Sequence, residues 1–199
     1  MLTEQEGINE GSLVSDTGEI IRDWNNSLLI INTPRTQGFS GFPVKTVKLA
    51  DTEINCRTSF ASIFLSSLDG KKLANSSRIL LTAVGRSWND KDKISYGEYT
   101  KSNSGIKYGT HIACTPAKKG KVVVVPIVAS IKLHSTKFSI TPLNPDMSKM
   151  TNAVFHSTSD GTNSLFSIGN GSNSIWYLLE RPTSEAYIPL QEYLPTSGR

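Results

Sequence analysis

The most regular hydrophobic pattern in the chain lies in residues 60–86, FASIFLSSLDGKKLANSSRILLTAVGR. In its first part Ala61, Ile63 and Leu65 alternate with Phe60, Ser62, Phe64 and Ser66, the two-residue period of a strand whose first set points inward. Residues 79–84 are nearly continuous in apolar side chains, which suits a strand covered on both faces. Ser76 and Ser77 before this run, Gly85 after it and a length of about six residues favour a strand over a short buried helix. Asp69-Gly70 marks the turn, so the stretch predicts a central hairpin.

Other short runs surround it. Residues 19–24 and 28–32 flank the polar Asn25-Asn26-Ser27, and residues 44–49 and 54–58 follow Pro34, which cannot donate to a ladder. Residues 121–133 read as two successive strands, or as one bent at Pro126. Residues 137–141, 154–157, 165–168 and 175–180 complete the set. No stretch with a 3.6-residue period exceeds about ten residues. The expectation is therefore an all-β, antiparallel two-sheet β-sandwich, jelly-roll-like, with Ile63, Leu65, Leu81, Val123 and Trp176 in its core and Trp24 buried inside its strand run. One domain should occupy residues 12–181, after a leader or linker at 1–11 and before an extended tail at 182–199 with prolines at 182, 189 and 195.

Composition narrows the function classes. The net charge of +4 is spread along the chain, and the one tight basic cluster, Lys118-Lys119-Gly120-Lys121, has no aromatics interleaved for stacking on bases. No nucleic-acid partner is expected. No run of about 18 apolar residues could cross a bilayer as a helix, so no membrane partner is expected either. Cys56 and Cys114 allow a single bridge or two buried thiols and have no zinc-ligand spacing.

Catalytic constellations are poorly represented. Glu19, Asp23, Glu53, Asp69, Asp90, Asp92, Glu98 and Glu180 could in principle pair across a sugar ring, but they read as turn or water-facing strand positions. His111, His134 and His156 are well separated, and no GxSxG elbow accompanies them. Asp90-Lys91-Asp92 offers two oxygens for a structural calcium without the glycine-centred acidic loop of a strong site, so no cofactor is expected. The richer stretch is residues 87–111, a polar, glycine-interrupted loop carrying Trp88, Tyr96, Tyr99 and Tyr108 beside Asn89, Asp90, Glu98 and Asn103. Sugars are held by such combinations, an aromatic ring against the C–H face and amides or carboxylates on the hydroxyls. Trp88, Asn89, Tyr96 and Tyr99 are the leading candidate contacts, against the alternative that the aromatics cap the core. Arg35 and Gln37 form a second candidate polar pair. Sequons at Asn25, Asn75 and Asn170 fall in expected turns and read as coincidence in so Asn- and Ser-rich a chain.

Four segments, SDTGEI (15–20), INTPRTQGFSGF (31–42), SLDGKKLANSSRILLTAVGRSWN (67–89) and SIWYLLER (174–181), together resemble the β-sandwich accessory domain that follows a barrel catalytic domain in some glycoside hydrolases. The chain departs from that pattern in two places: it has Asp23-Trp24 where the pattern has an aromatic followed by Asp, and Val125-Pro126 where the pattern has an acidic residue before the proline. The resemblance implies a non-catalytic, carbohydrate-binding or accessory module of a secreted enzyme, extracellular, with polysaccharide or oligosaccharide and the catalytic barrel of the same polypeptide as partners. The alternatives are a purely structural domain packed on its catalytic neighbour, and an independent glycosidase.

Overall fold

In the computed structural model residues 8–9, 11–43, 46–100, 107–115, 119–169 and 174–181 are described, excepting the side chains of residues 8, 9, 94, 96–100 and 107–115. The architecture is the expected all-β sandwich. A larger sheet carries, in spatial order, Ile8–Asn9, Ser12–Val14, Ile20–Asp23, Leu28–Asn32, Thr36–Gly41, Ala61–Ser67, Arg78–Val84, Trp176–Glu180, Ser139–Pro142 and Phe155–His156. A smaller one carries Thr158–Ser159, Ser164–Ile168, Ala129–Leu133, Thr52–Cys56 and Thr46–Lys48. Their strand pairings are antiparallel. The chain joins the larger sheet earlier than expected, because Ile8–Asn9 pairs with Ser12–Val14 around Gly11.

The core forms where the two inner faces meet. Ala61, Ile63 and Leu65 are buried as the alternation requires, and cross-strand registers align them with Phe39 on one side and with Leu81 and Ala83 on the other. Val47, Ile54, Ala129, Ile131, Leu133, Phe166 and Ile168 close the core from the smaller sheet. The apolar run in Arg78–Val84 is buried at Ile79, Leu81 and Ala83 but only half-buried at Leu80, Thr82 and Val84, so its outer face is less covered than its composition suggests.

Three expectations need correction. Trp176 lies on the outer face and is half-buried, because register with Leu81 and Ile79 turns Tyr177 and Leu179 inward instead. Val123 sits outside the core cluster: among the described residues Val122–Val124 pairs only with Ser87–Asn89, and Val122 is 76% exposed. Residues 87–111 are also no simple loop, since Lys93–Thr100 and Lys107–Thr115 form a long hairpin that keeps Gly97 in register with His111. Residues 125–128 separate Val122–Val124 from Ala129–Leu133, so two strands in different sheets form around Pro126.

Gly38, within the TPRTQG segment, has a packing reason. A Cβ there would press into the Phe64 ring and into the Ile63 carbonyl oxygen and the Phe64 Cα, backbone atoms that cannot retreat without breaking the ladder. Gly38→Ala is expected to lower stability by about 1–3 kcal/mol, the usual cost of overpacking, measured as a shift in the urea midpoint.

Candidate functional site

One end of the larger sheet gathers the termini of successive strands. Asp23 pairs with Leu28, Leu28 with Gly41, Gly41 with Ala61, and Ser62 with Val84, so Trp24, Phe42, Phe60 and Arg86 all lie just beyond the ladder at that end. Phe42 is exposed and meets Phe60 edge-on, with ring centroids 5.2 Å apart and an interplanar angle of 65°. The Arg86 guanidinium lies 5.9 Å from the Phe42 centroid, and Trp88 follows two residues later, 40% exposed and outside the core cluster.

Trp24 was expected in the core; it is 45% exposed instead. The cause is the residue before it. The Asp23 carboxylate accepts the Asn26 backbone N–H at 2.9 Å and the Asn26 side-chain amide at 2.7 Å, which stops the strand and starts a turn. The Trp24 N–H donates to the Gly11 carbonyl at 3.0 Å, and Ser27 adopts a left-handed φ of 52° before the next strand begins. The indole is thereby held outside the ladder, beside a groove of about 360 Å³ lined by Arg22, Asp23, Trp24, Leu29, Ser40 and Phe60.

The groove presents both hydrogen-bond donors and acceptors. Arg22 is exposed and offers donors, while the side-chain and backbone amides of Asn26 hold the Asp23 carboxyl below its ordinary range, so it stays an acceptor at neutral pH. A general acid needs the opposite shift. Asp69, Asp146 and Asp160 are also displaced downward, Asp160 to about 2, chiefly by the Asn163 side chain and backbone.

The other sequence candidates are dispersed. Asn89 braces its own turn, its Oδ1 accepting the Lys91 N–H at 3.0 Å and its N–H donating to Asp92 at 3.2 Å. The side chains of Tyr96 and Tyr99, like Asn103, Lys118, the Asn170 sequon and the tail at 182–199, lie outside the described residues. Arg35 is exposed at the far end of the strand that leads to Gly41, about 20 Å from the aromatic end at the usual rise per residue. Gln37 is fully buried; its amide donates to Asp51 Oδ2 at 3.0 Å and its Oε1 accepts the Asp51 N–H at 2.9 Å, tying the larger sheet to the loop before Thr52–Cys56. Its polar atoms are used internally, so it is a strut between the sheets and has no surface to offer a ligand. Cys56 is a free, half-buried thiol whose pKa burial pushes up. Among the described residues no cluster of three or more His, Cys, Asp or Glu is placed to hold a metal ion.

No family model, no curated protein and no solved structure matches the chain.

Proposed function

We propose that this chain is a non-catalytic β-sandwich module of a glycoside hydrolase, which holds polysaccharide at its aromatic end and so supports the catalytic barrel of the same extracellular polypeptide. The observation that carries this reading is the set of exposed rings, Trp24, Phe42 and Trp88, at one end of a rigid sandwich beside a groove with Arg22 and Asp23. Rings supply a flat C–H contact surface, and the charged pair supplies donors and acceptors for hydroxyls. The resemblance in residues 15–20, 31–42, 67–89 and 174–181 supports the modular context.

The test is retention on insoluble cellulose, xylan, mannan and galactan. Trp24→Ala is expected to weaken retention at least tenfold while changing stability by under about 1 kcal/mol, because the ring is largely outside the core. Trp88→Ala should behave in the same direction. No retention on any of these polysaccharides would sink the reading, and release of reducing sugar by the purified chain would replace it with the glycosidase alternative.

A second reading has its own observation. Leu13, Ile20 and Leu29 are exposed, and the registers place Leu13 and Leu29 on either side of Arg22 in one row and Ile20 in the next on the outer face of the larger sheet. Such a surface suits packing against a neighbouring domain without any sugar. In that case the amides of Ile20–Asp23 and Leu28–Asn32 should exchange hydrogen more slowly in the full polypeptide than in this module alone.

A further inference from the structure

The smaller sheet has an outer face of a different character. Its inward row of Ile54, Ile131 and Phe166 is core, so the alternate positions face outward in two aligned rows: Asn55, Ser130 and Ser167, then Glu53, Lys132 and Leu165. A hollow of about 510 Å³ lies over these rows, walled on one side by Phe155, His156 and Thr158 where the chain crosses between the sheets. Glu53 and Lys132 also line a second hollow of about 230 Å³ that adds Lys48, His134 and Asn163, so the two form one groove along the strands. From Ser130 to His134 the groove runs about 14 Å at the usual strand rise.

Polar capacity in this groove is left unused. Among the described residues, the Glu53 carboxylate and the His134 and His156 rings have no hydrogen-bond partner, and Asn55 commits only its amide, to Thr46 Oγ1 at 3.1 Å. Acceptors and donors therefore alternate across a surface that also presents Leu165 and Phe155. An anion would meet Glu53, with Asp160 close enough to interact with Lys132, and an apolar segment would strand the unpaired groups. A chain of hydroxyls, each both donor and acceptor, satisfies both signs, and Leu165 can meet a sugar's C–H face.

We infer that this groove is a second glycan site, separate from the aromatic end, that takes an internal segment of a neutral polysaccharide. The inference rests on the carbohydrate-binding reading, and its test separates the two. The full 199-residue chain, labelled with ¹⁵N, is titrated with the linear hexasaccharides of cellulose, xylan, mannan and galactan. Saturable amide shifts are expected at residues 53–55, 130–132 and 165–167 with at least one of them. The shifts should persist in Trp24→Ala and need at least tenfold more sugar in Glu53→Gln and in Lys132→Ala, whose spectra should otherwise remain folded. Shifts confined to the Trp24 end would overturn this site and leave the proposed function standing. Shifts in the groove alone would support this site and remove the aromatic end. No shifts with any hexasaccharide would overturn both. Tighter binding of hexagalacturonate than of every neutral probe would overturn the neutral ligand.

Discussion

Leu81→Ala is expected to lower stability by about 2–5 kcal/mol. Leu81 is fully buried on the Arg78–Val84 strand, which is hydrogen-bonded on both sides, and in register it faces Leu65 on one neighbour and Tyr177 on the other. Because those neighbours are fixed by ladder hydrogen bonds, they cannot move in to fill the space left by the missing methyls, and the cavity cost adds to the lost burial. Urea denaturation should show a lower midpoint with little change in slope. The half-buried Leu80, on the opposite face of the same strand, should cost less when truncated to alanine. A loss at Leu81 below about half a kilocalorie, the range of surface substitutions, would mean that the inner and outer faces are assigned the wrong way round.

That assignment was legible in residues 60–66 because Ser62 and Ser66 mark one of the two alternating sets as outward, even though Phe60 and Phe64 share it, while Ala61, Ile63 and Leu65 form an unbroken apolar set. Trp176-Tyr177-Leu178-Leu179 contains no polar residue, so its pattern fits either phase. Only pairing with Leu81 and Ile79 selects Tyr177 and Leu179 as the inner pair and sends Trp176 outward. The valines at 122–124 illustrate a related limit: β-branched residues favour strands, but burial depends on what covers them, and their partner is a three-residue strand. Residues 93–96 already alternate Ile94 and Tyr96 with Lys93 and Ser95, and Gly97 and Gly109, which made the stretch read as a loop, are accommodated in a two-stranded ribbon.

The candidate sites were legible to different degrees. Trp88 stood out because its neighbours are polar, and its exposure agrees with a surface position. Trp24 was hidden because residues 19–24 read as one short strand run, although Asp23 three residues ahead of Asn26 is a turn signal that could have released it from the strand. The groove on the smaller sheet left no local trace. Asn55, Ser130 and Ser167 each look like an ordinary water-facing strand residue, and only the registers bring them into one row.

Asp69→Asn is expected to lower stability by roughly 2–4 kcal/mol at neutral pH, since hydrogen bonds to a charged group contribute about 1.5–3 kcal/mol each and do not add fully. The SLDG segment is built around this carboxylate. Oδ1 accepts the Ser67 hydroxyl at 2.9 Å, the Ser76 hydroxyl at 2.8 Å and the Lys71 N–H at 3.3 Å, while Oδ2 accepts the Ser77 N–H at 2.7 Å and the Ser77 hydroxyl at 2.8 Å. Together these bonds close the connection from Ala61–Ser67 to Arg78–Val84 and position Leu73, which is fully buried. Burial alone would raise the pKa of Asp69; the Ser77 N–H and the hydroxyls of Ser76, Ser77 and Ser67 outweigh it and hold the carboxyl far below the usual carboxylate range. A depressed folded pKa stabilises the fold above the unfolded value of about 3.9, and the contribution is lost as pH falls below it toward the folded value. Asparagine cannot titrate and points an amide donor at one of these N–H or O–H groups. The stability gap between the native chain and Asp69→Asn should therefore be constant from about pH 7 to pH 5 and narrow below about pH 4. Asp23, Asp146 and Asp160 titrate in the same direction in both proteins, so the difference between the two curves isolates Asp69. Urea midpoints across that range measure it, and a gap at pH 3 as wide as at pH 7 would show that the variant loses shape rather than charge-assisted hydrogen bonds.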